Sequence, residues 1–203
     1  MNIFYNENGV GDVLLVQLAT ARPKDIKTES IGDVTLIQDE SSSELVAFNI
    51  FKASSYMKLD AEGQVTLTET LVTEIKETLI KNNVDIEFDV DLTPKFVIGH
   101  VVKKESHPNA DKLSVCTVDV GSEVLQIVCG ASNIDAGQKV VVAKVGAVMP
   151  SGMAIRDAEL RGVASSGMIC SATELNLPKA EKGQGILVLE DNALIGEAFT
   201  GMD

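Results

Sequence analysis

The chain has 203 residues, 45% apolar and 23% charged, which is the balance of a folded protein of one large or two small domains. That excludes a disordered chain, a coiled coil and a collagen, and no apolar run approaches the roughly 18 residues of a membrane span. With 17 basic against 30 acidic side chains, the net charge of −13 argues against binding nucleic acid by bulk attraction. The charge is uneven: residues 1–91 carry 7 basic and 17 acidic groups (net −10), and residues 92–203 carry 10 and 13 (net −3). Each half therefore needs its own account of partners. No signal peptide is recognisable, so a cytoplasmic location is expected.

The first half predicts an α+β domain over residues 1–91. Residues 2–5, 12–19, 34–37 and 44–51 are short runs rich in Val, Ile, Leu and Phe, punctuated by Gly, Asp and Ser. Gly9 and Gly11 flank Val10 and predict a turn with positive φ. The period then changes. Leu67, Leu71, Ile75 and Leu79 recur every four residues and predict a helix over 65–82. Thr66 and Glu69 have capping-box spacing at its start, and Asn82 and Asn83 suit its end. Residues 85–94 alternate acids with apolar residues and read as a linker or an edge strand.

The second half predicts an all-β domain over residues 92–203. Strands are expected at 96–103, 113–120, 124–129, 139–145, 167–170 and 186–189, with glycines between or inside them. Many short strands in this arrangement argue a barrel or a sandwich. Residues 173–177 predict one short helical turn before Pro178.

Catalytic signatures fail one by one. No phosphate loop occurs, and Gly183-Gln-Gly185 lacks the third glycine of a dinucleotide fingerprint. The run from Gly162 to Gly167 has too many residues between its glycines for a nucleophile elbow. Cys116, Cys129 and Cys170 are odd in number and widely spaced, and predict reduced, buried thiols. They do not have metal-ligand spacing with His100 and His107. His107, held extended by Pro108, reads as a solvated loop residue. No enzyme activity, metal or cofactor is predicted.

Four polar clusters of the second half do not look like barrel filler. His107-Pro-Asn-Ala-Asp-Lys-Leu113 lies between two predicted strands, and its plain reading is a strand connection. Val128-Cys-Gly-Ala-Ser-Asn133 places small residues after a strand, where a backbone or a ligand can approach; the plain reading is a capped turn. Met149-Pro-Ser-Gly-Met153 is a tight turn between methionines, which are either core filler or soft contacts for a base. In the fourth, running from Glu159 to Ser171, Arg161, Ser165 and Ser166 can all donate to phosphate or sugar oxygens.

Taken in order, these clusters resemble the tRNA-binding domain of oligonucleotide-binding (OB) fold type. That module is appended to some methionyl-tRNA synthetases and lies near the start of the bacterial phenylalanyl-tRNA synthetase β chain. The first half, with Phe4-Tyr-Asn6, Gly9-Val-Gly-Asp-Val-Leu-Leu15 and Phe48-Asn-Ile-Phe51, resembles the N-terminal region of the YtpR-type proteins, which pair an uncharacterised domain with that module. The resemblance implies a five-stranded Greek-key barrel whose loops and one face meet folded tRNA. Carried over position by position, it names Asn109, Lys112, Asn133, Lys144, Met149, Arg161, Ser165 and Met168 as tRNA-facing. Positions often basic in such domains are Ala154 and Ala164 here, which implies weaker binding. Phe96 and Phe199 are the only aromatics of the second half, so recognition by shape and backbone is expected rather than base stacking. A basic face would require Lys103, Lys104, Lys112, Lys144, Arg156 and Arg161 to converge. The alternative expectation is an adaptor whose acidic first half binds a protein partner. Edge strands of the module would also permit a homodimer.

Overall fold

The computed structural model describes residues 1–19, 23–178, 180, 183 and 185–201. The chain divides into two units, Met1–Thr93 and Pro94–Asp203.

The first unit is an antiparallel sheet with a helix packed on it. Its strands are β1 (Asn2–Asn6), β2 (Gly11–Gln17), β3 (Ile26–Ile31), β4 (Val34–Asp39), β5 (Leu45–Phe51) and β6 (Gly63–Gln64), in the order β3-β4-β5-β2-β1-β6. Period-2 alternation directs Ile3, Tyr5, Leu14, Val16, Val34, Leu36, Phe48 and Ile50 to one core. The turn after β1 is a four-residue helix, α1 (Glu7–Val10), where Asn6 caps the Gly9 N–H and Gly11 leaves at φ +87°. Helix α2 (Glu69–Lys81) buries Leu71, Ile75 and Leu79, the predicted stripe, in the same core. Its N-cap is Thr68, which accepts from the Leu71 N–H at 3.2 Å. The expected capping box at Thr66 is therefore two residues early, because the chain is still extended at Thr68. Asn82 closes the other end: its side chain donates to the Thr78 carbonyl and accepts from the Asp33 N–H, tying helix to sheet. Residues 85–92 form neither helix nor strand, although Ile86 and Phe88 pack on the core.

The second unit is almost wholly β. Its strands are β7 (Phe96–Ser106), β8 (Ser114–Asp119), β9 (Val124–Cys129), β10 (Lys139–Ala143), β11 (Asp157–Leu160), β12 (Val163–Ser166), β13 (Met168–Ile169) and β14 (Val188–Leu189). One sheet runs β13-β10-β7-β8-β9, with β14 also on β10, while β11 and β12 form a separate hairpin. Strand β7 crosses the centre of the core. At Gly99 a Cβ would come within 2.8 Å of the Val142 and Val118 methyls, so only glycine lets the neighbouring valines close over it. The predicted helical turn near 173 is a hydrogen-bonded turn in which Ser171 Oγ and the Glu174 carboxylate cap each other's backbone N–H groups.

Candidate nucleic-acid interface

The β11–β12 hairpin organises the site. Leu160 pairs with Val163, so the turn consists of Arg161 and Gly162, both at positive φ (48° and 85°). That is the backbone of a type I′ turn, which matches the twist of a tight hairpin. Arg161 is thus the exposed tip.

The loop between β7 and β8 is bolted to that tip. His107, 5% exposed, accepts from the Asn109 N–H on Nδ1 at 3.0 Å. Its Nε2, 3.0 Å from the Leu160 carbonyl, must then carry the proton and donate. The Asn109 Nδ2 donates to the Arg161 carbonyl at 3.0 Å. Two motifs some fifty residues apart therefore meet, and Asn109 and Arg161 are brought together. His107 is not a solvated loop residue but the hinge pin of this junction.

The other edge of the hairpin faces β9. Ser165 Oγ accepts from the Val128 N–H at 3.0 Å, and Gln126 Nε2 donates to the Ala164 carbonyl at 2.7 Å. This brings the fourth motif to the second. Beyond β9, Asn133 donates to the Ile186 carbonyl (3.0 Å) and accepts from the Ile186 N–H (2.9 Å), a two-bond amide clamp. A cavity of about 580 Å³ opens here, lined in part by Cys129, Ala131, Met168, Ser171 and Glu174.

The tRNA-facing expectations now separate. Lys112 and Arg161 are exposed and, among the described residues, have no ion-pair partner. Asn109 is exposed but spends its amide on Arg161. Asn133 is exposed and spends its amide on Ile186. Lys144 is folded down, its side chain 17% exposed and 2.8 Å from Glu123. Met149 and Ser165 are 3% and 4% exposed. A side chain so covered has no surface to offer an RNA, so these two expectations are corrected: Met149 fills the smaller core and Ser165 bonds β9. Met168 is half-buried against that same small core. Of the methionines flanking the Pro-Ser-Gly turn, only Met153 is exposed, at 51%.

Most of the other cations that a basic face would require have partners or are partly covered. Lys103 pairs with Glu105 at 2.9 Å, and Lys104 donates to the Ile134 carbonyl at 2.6 Å. Arg156 is half-buried, and its Nε is buried without an acceptor. Arg156 is one of the cations a basic face requires, but it lies outside the set that the family motifs name, and no spacing signal singles it out. Nor does any signal reveal that His107 pairs with a carbonyl of a distant hairpin.

The cysteines are free and buried. Burial pushes the Cys116 thiol up to about 11 and the Cys170 thiol up to about 12, so neither supplies a thiolate near neutral pH. Among the described residues no group of three or more His, Cys, Asp and Glu side chains is placed to hold a metal ion. Among the described residues no helix is long and apolar enough to cross a membrane.

Residues 96–198 match the family described as "Putative tRNA binding domain". Residues 22–91 match the one described as "Domain of unknown function (DUF4479)". The chain is 59% identical over 199 residues to "Putative tRNA-binding protein YtpR" of Bacillus subtilis (strain 168), spanning 98% of this chain and 99% of that one. The chain belongs to the YtpR family. The resemblance carried by the four ordered motifs is thereby established. The YtpR module is also shared with a much larger protein: the phenylalanine–tRNA ligase beta subunit of Campylobacter jejuni (strain RM1221) is 49% identical over 130 residues, 62% of this chain but 16% of that one. Among solved structures, the C-terminal domain of Plasmodium vivax p43 aligns with a TM-score of 0.37 at 24% identity, over 50% of this chain and 56% of that one.

Proposed function

We propose that this protein binds folded tRNA, without acting on it chemically, through the loop cluster where the β7–β8 connection meets the β11–β12 hairpin. One observation supports the reading: His107 and Asn109 hold the Leu160 and Arg161 carbonyls, so Lys112 and Arg161 stand on adjoining loops as exposed cations, without an ion-pair partner among the described residues. Arg161 supports it in a second way. A non-glycine residue at φ +48° costs on the order of 1 kcal/mol, where Asn or Gly would cost less. Strain kept at an exposed arginine fits a side chain retained for its charge.

The hydrogen bonds from β9 to Ala164 and Ser165 favour closure of the sheet by the hairpin into the five-stranded Greek-key barrel of the family. Without Trp or Tyr in this unit, recognition runs through phosphates, sugars and overall shape. The net charge of −10 on residues 1–91 repels RNA and leaves the second unit to bind it. Protonated, buried thiols suit a reducing cytoplasm.

The test is a gel-shift titration of the whole protein against tRNA at several salt concentrations. Arg161→Asn creates the Asn-Gly pair that type I′ turns prefer, so the hairpin is kept while the charge is lost. Affinity is expected to fall roughly 5- to 10-fold, with the salt slope reduced by about one. Lys112→Ala is expected to do the same. If both folded variants bind with the wild-type affinity and slope, the surface is misassigned.

A further inference from the structure

The six-stranded sheet of the first unit has two faces, and α2 covers only one. The opposite face presents Phe4, Val13, Leu15, Ile37, Ala47 and Phe51, which the strand register brings side by side: Phe4 with Leu15, Val13 with Phe51, Ile37 with Ala47. None of the six belongs to the core or packs against it. Phe51 is 43% exposed, and Ile26, at the outer edge of the same face, is 56% exposed. The polar positions interleaved with them include Gln17, Thr28, Ser30, Thr35 and Asn49, all uncharged.

This is notable in a segment with 24 charged side chains among 91 residues. The one carboxylate that the register puts on this side, Asp39, lies at the corner opposite Ile26 and is turned to cap Ser41 and Ser42. Phe4, Val13, Leu15, Ile37 and Ala47 are half-buried by their neighbours on the sheet and still reach the surface; depletion of charge around such aromatic and aliphatic residues marks the centre of a protein interface. It does not suit an RNA, which needs cations.

We infer that this face packs against the same face of a second copy of the chain, sheet on sheet. Charge decides the occupant. A partner chosen for complementarity to an acidic unit would be basic and would dock where the carboxylates are. The face without charge is the one on which two units of net −10 can meet without burying like charges. Size agrees. The five longer strands, about 4.8 Å apart and about 20 Å long, give a footprint of roughly 500 Å² per copy before side-chain relief is counted. Two such footprints reach the roughly 1,000 Å² that a specific interface needs. A two-fold axis would bring each Val13–Phe51 pair against the partner's sheet, as in an aligned β-sandwich.

Sedimentation equilibrium of the whole protein tests this. A monomer–dimer equilibrium is expected that tightens as salt rises from about 50 to about 500 mM, because screening relieves repulsion while the contact itself is uncharged. tRNA binding should weaken over the same range. Phe51→Glu, at an exposed position, should weaken the dimer at least about 30-fold and leave the fold and monomer tRNA affinity unchanged. Ala47→Glu is a second, independent disruption. A wild-type chain that stays monomeric at about 100 µM overturns the inference, as does a dimer that both folded variants leave intact. A face protected from surface labelling in a monomer also overturns it, since another part of the chain would then be the occupant. Loss of tRNA binding in Arg161→Asn would not move the dimer, so the two readings fail separately.

Discussion

The two units use their polar residues differently. In the first, carboxylates tie side chains together. Asp12 accepts from the Tyr5 hydroxyl and from the Ser54 N–H and hydroxyl, while Asp33 accepts from Lys52 and from the Tyr56 hydroxyl. In the second, neutral amides, a hydroxyl and an imidazole bond the backbone of distant loops: His107 to Leu160, Asn109 to Arg161, Asn133 to Ile186, Ser165 to Val128. The contrast teaches that an ordered polar motif need not point at a ligand. Most of the motif residues here hold loops in register, so that Lys112 and Arg161 are free to face outward. A net charge near balance follows from the same economy, because amides build the frame without adding charge.

That contrast can be broken in graded ways. The largest effect is expected at His107. His107→Ala removes the buried imidazole and leaves the part-buried Leu160 carbonyl and Asn109 N–H without their partner, and should destabilise the second unit by about 2 kcal/mol. Urea unfolding followed by circular dichroism would report it, and tRNA affinity should fall with it because Asn109 and Arg161 lose their junction. Next is Asn133→Ala, which removes two backbone bonds and should cost up to about 2 kcal/mol. Here the salt slope of tRNA binding should stay unchanged, in contrast to Arg161→Asn, which lowers the slope while the unfolding free energy stays the same or rises by up to about 1 kcal/mol as the turn is relieved.

Acid should break the first unit by its carboxylate ties. Burial works against the Asp12 carboxylate, but the bonds from Ser54 and Tyr5 outweigh it and hold its pKa below the usual value. The Lys52 bond, helped by Tyr56, lowers Asp33 likewise. A carboxylate lowered in the folded state contributes stability that is fully present above its unfolded value, about 3.9, and is lost as pH falls through the folded value. Both tyrosines, Tyr5 and Tyr56, lie in the first unit and the chain has no Trp, so tyrosine fluorescence reports that unit alone. Its acid transition should begin near pH 4. Asp12→Asn should flatten the transition and cost about 1–2 kcal/mol at neutral pH. The smallest effect belongs to Lys112→Ala, invisible to stability and read only in tRNA affinity.

Much of the fold was legible because burial follows period. The alternation in β1, β2, β4 and β5 and the four-residue stripe of α2 each mark one buried face. Strand β3 was not legible: Ile-Lys-Thr-Glu-Ser-Ile is exposed almost throughout, since an edge strand can be held by its neighbour's backbone alone. Strands β11 and β12 escaped for a related reason. Asp-Ala-Glu-Leu alternates for only one Ala–Leu pair and is exposed throughout, Val-Ala-Ser-Ser does not alternate, and the type I′ turn between them begins with an arginine rather than the usual Asn or Gly.

The site was legible as a family signature and illegible as geometry. Residue types and their order placed four motifs, and a 59% identical relative shows the same family. Composition also set the lack of an aromatic platform and the acidic first half. Whether Ser165 or Met149 looked outward, whether His107 was wet or buried, and whether one sheet face was left bare were decided only by tertiary structure. The reason is physical. A polar side chain satisfies itself equally well on solvent, a phosphate or a carbonyl fifty residues away, and only the folded backbone determines which of these lies within 3 Å.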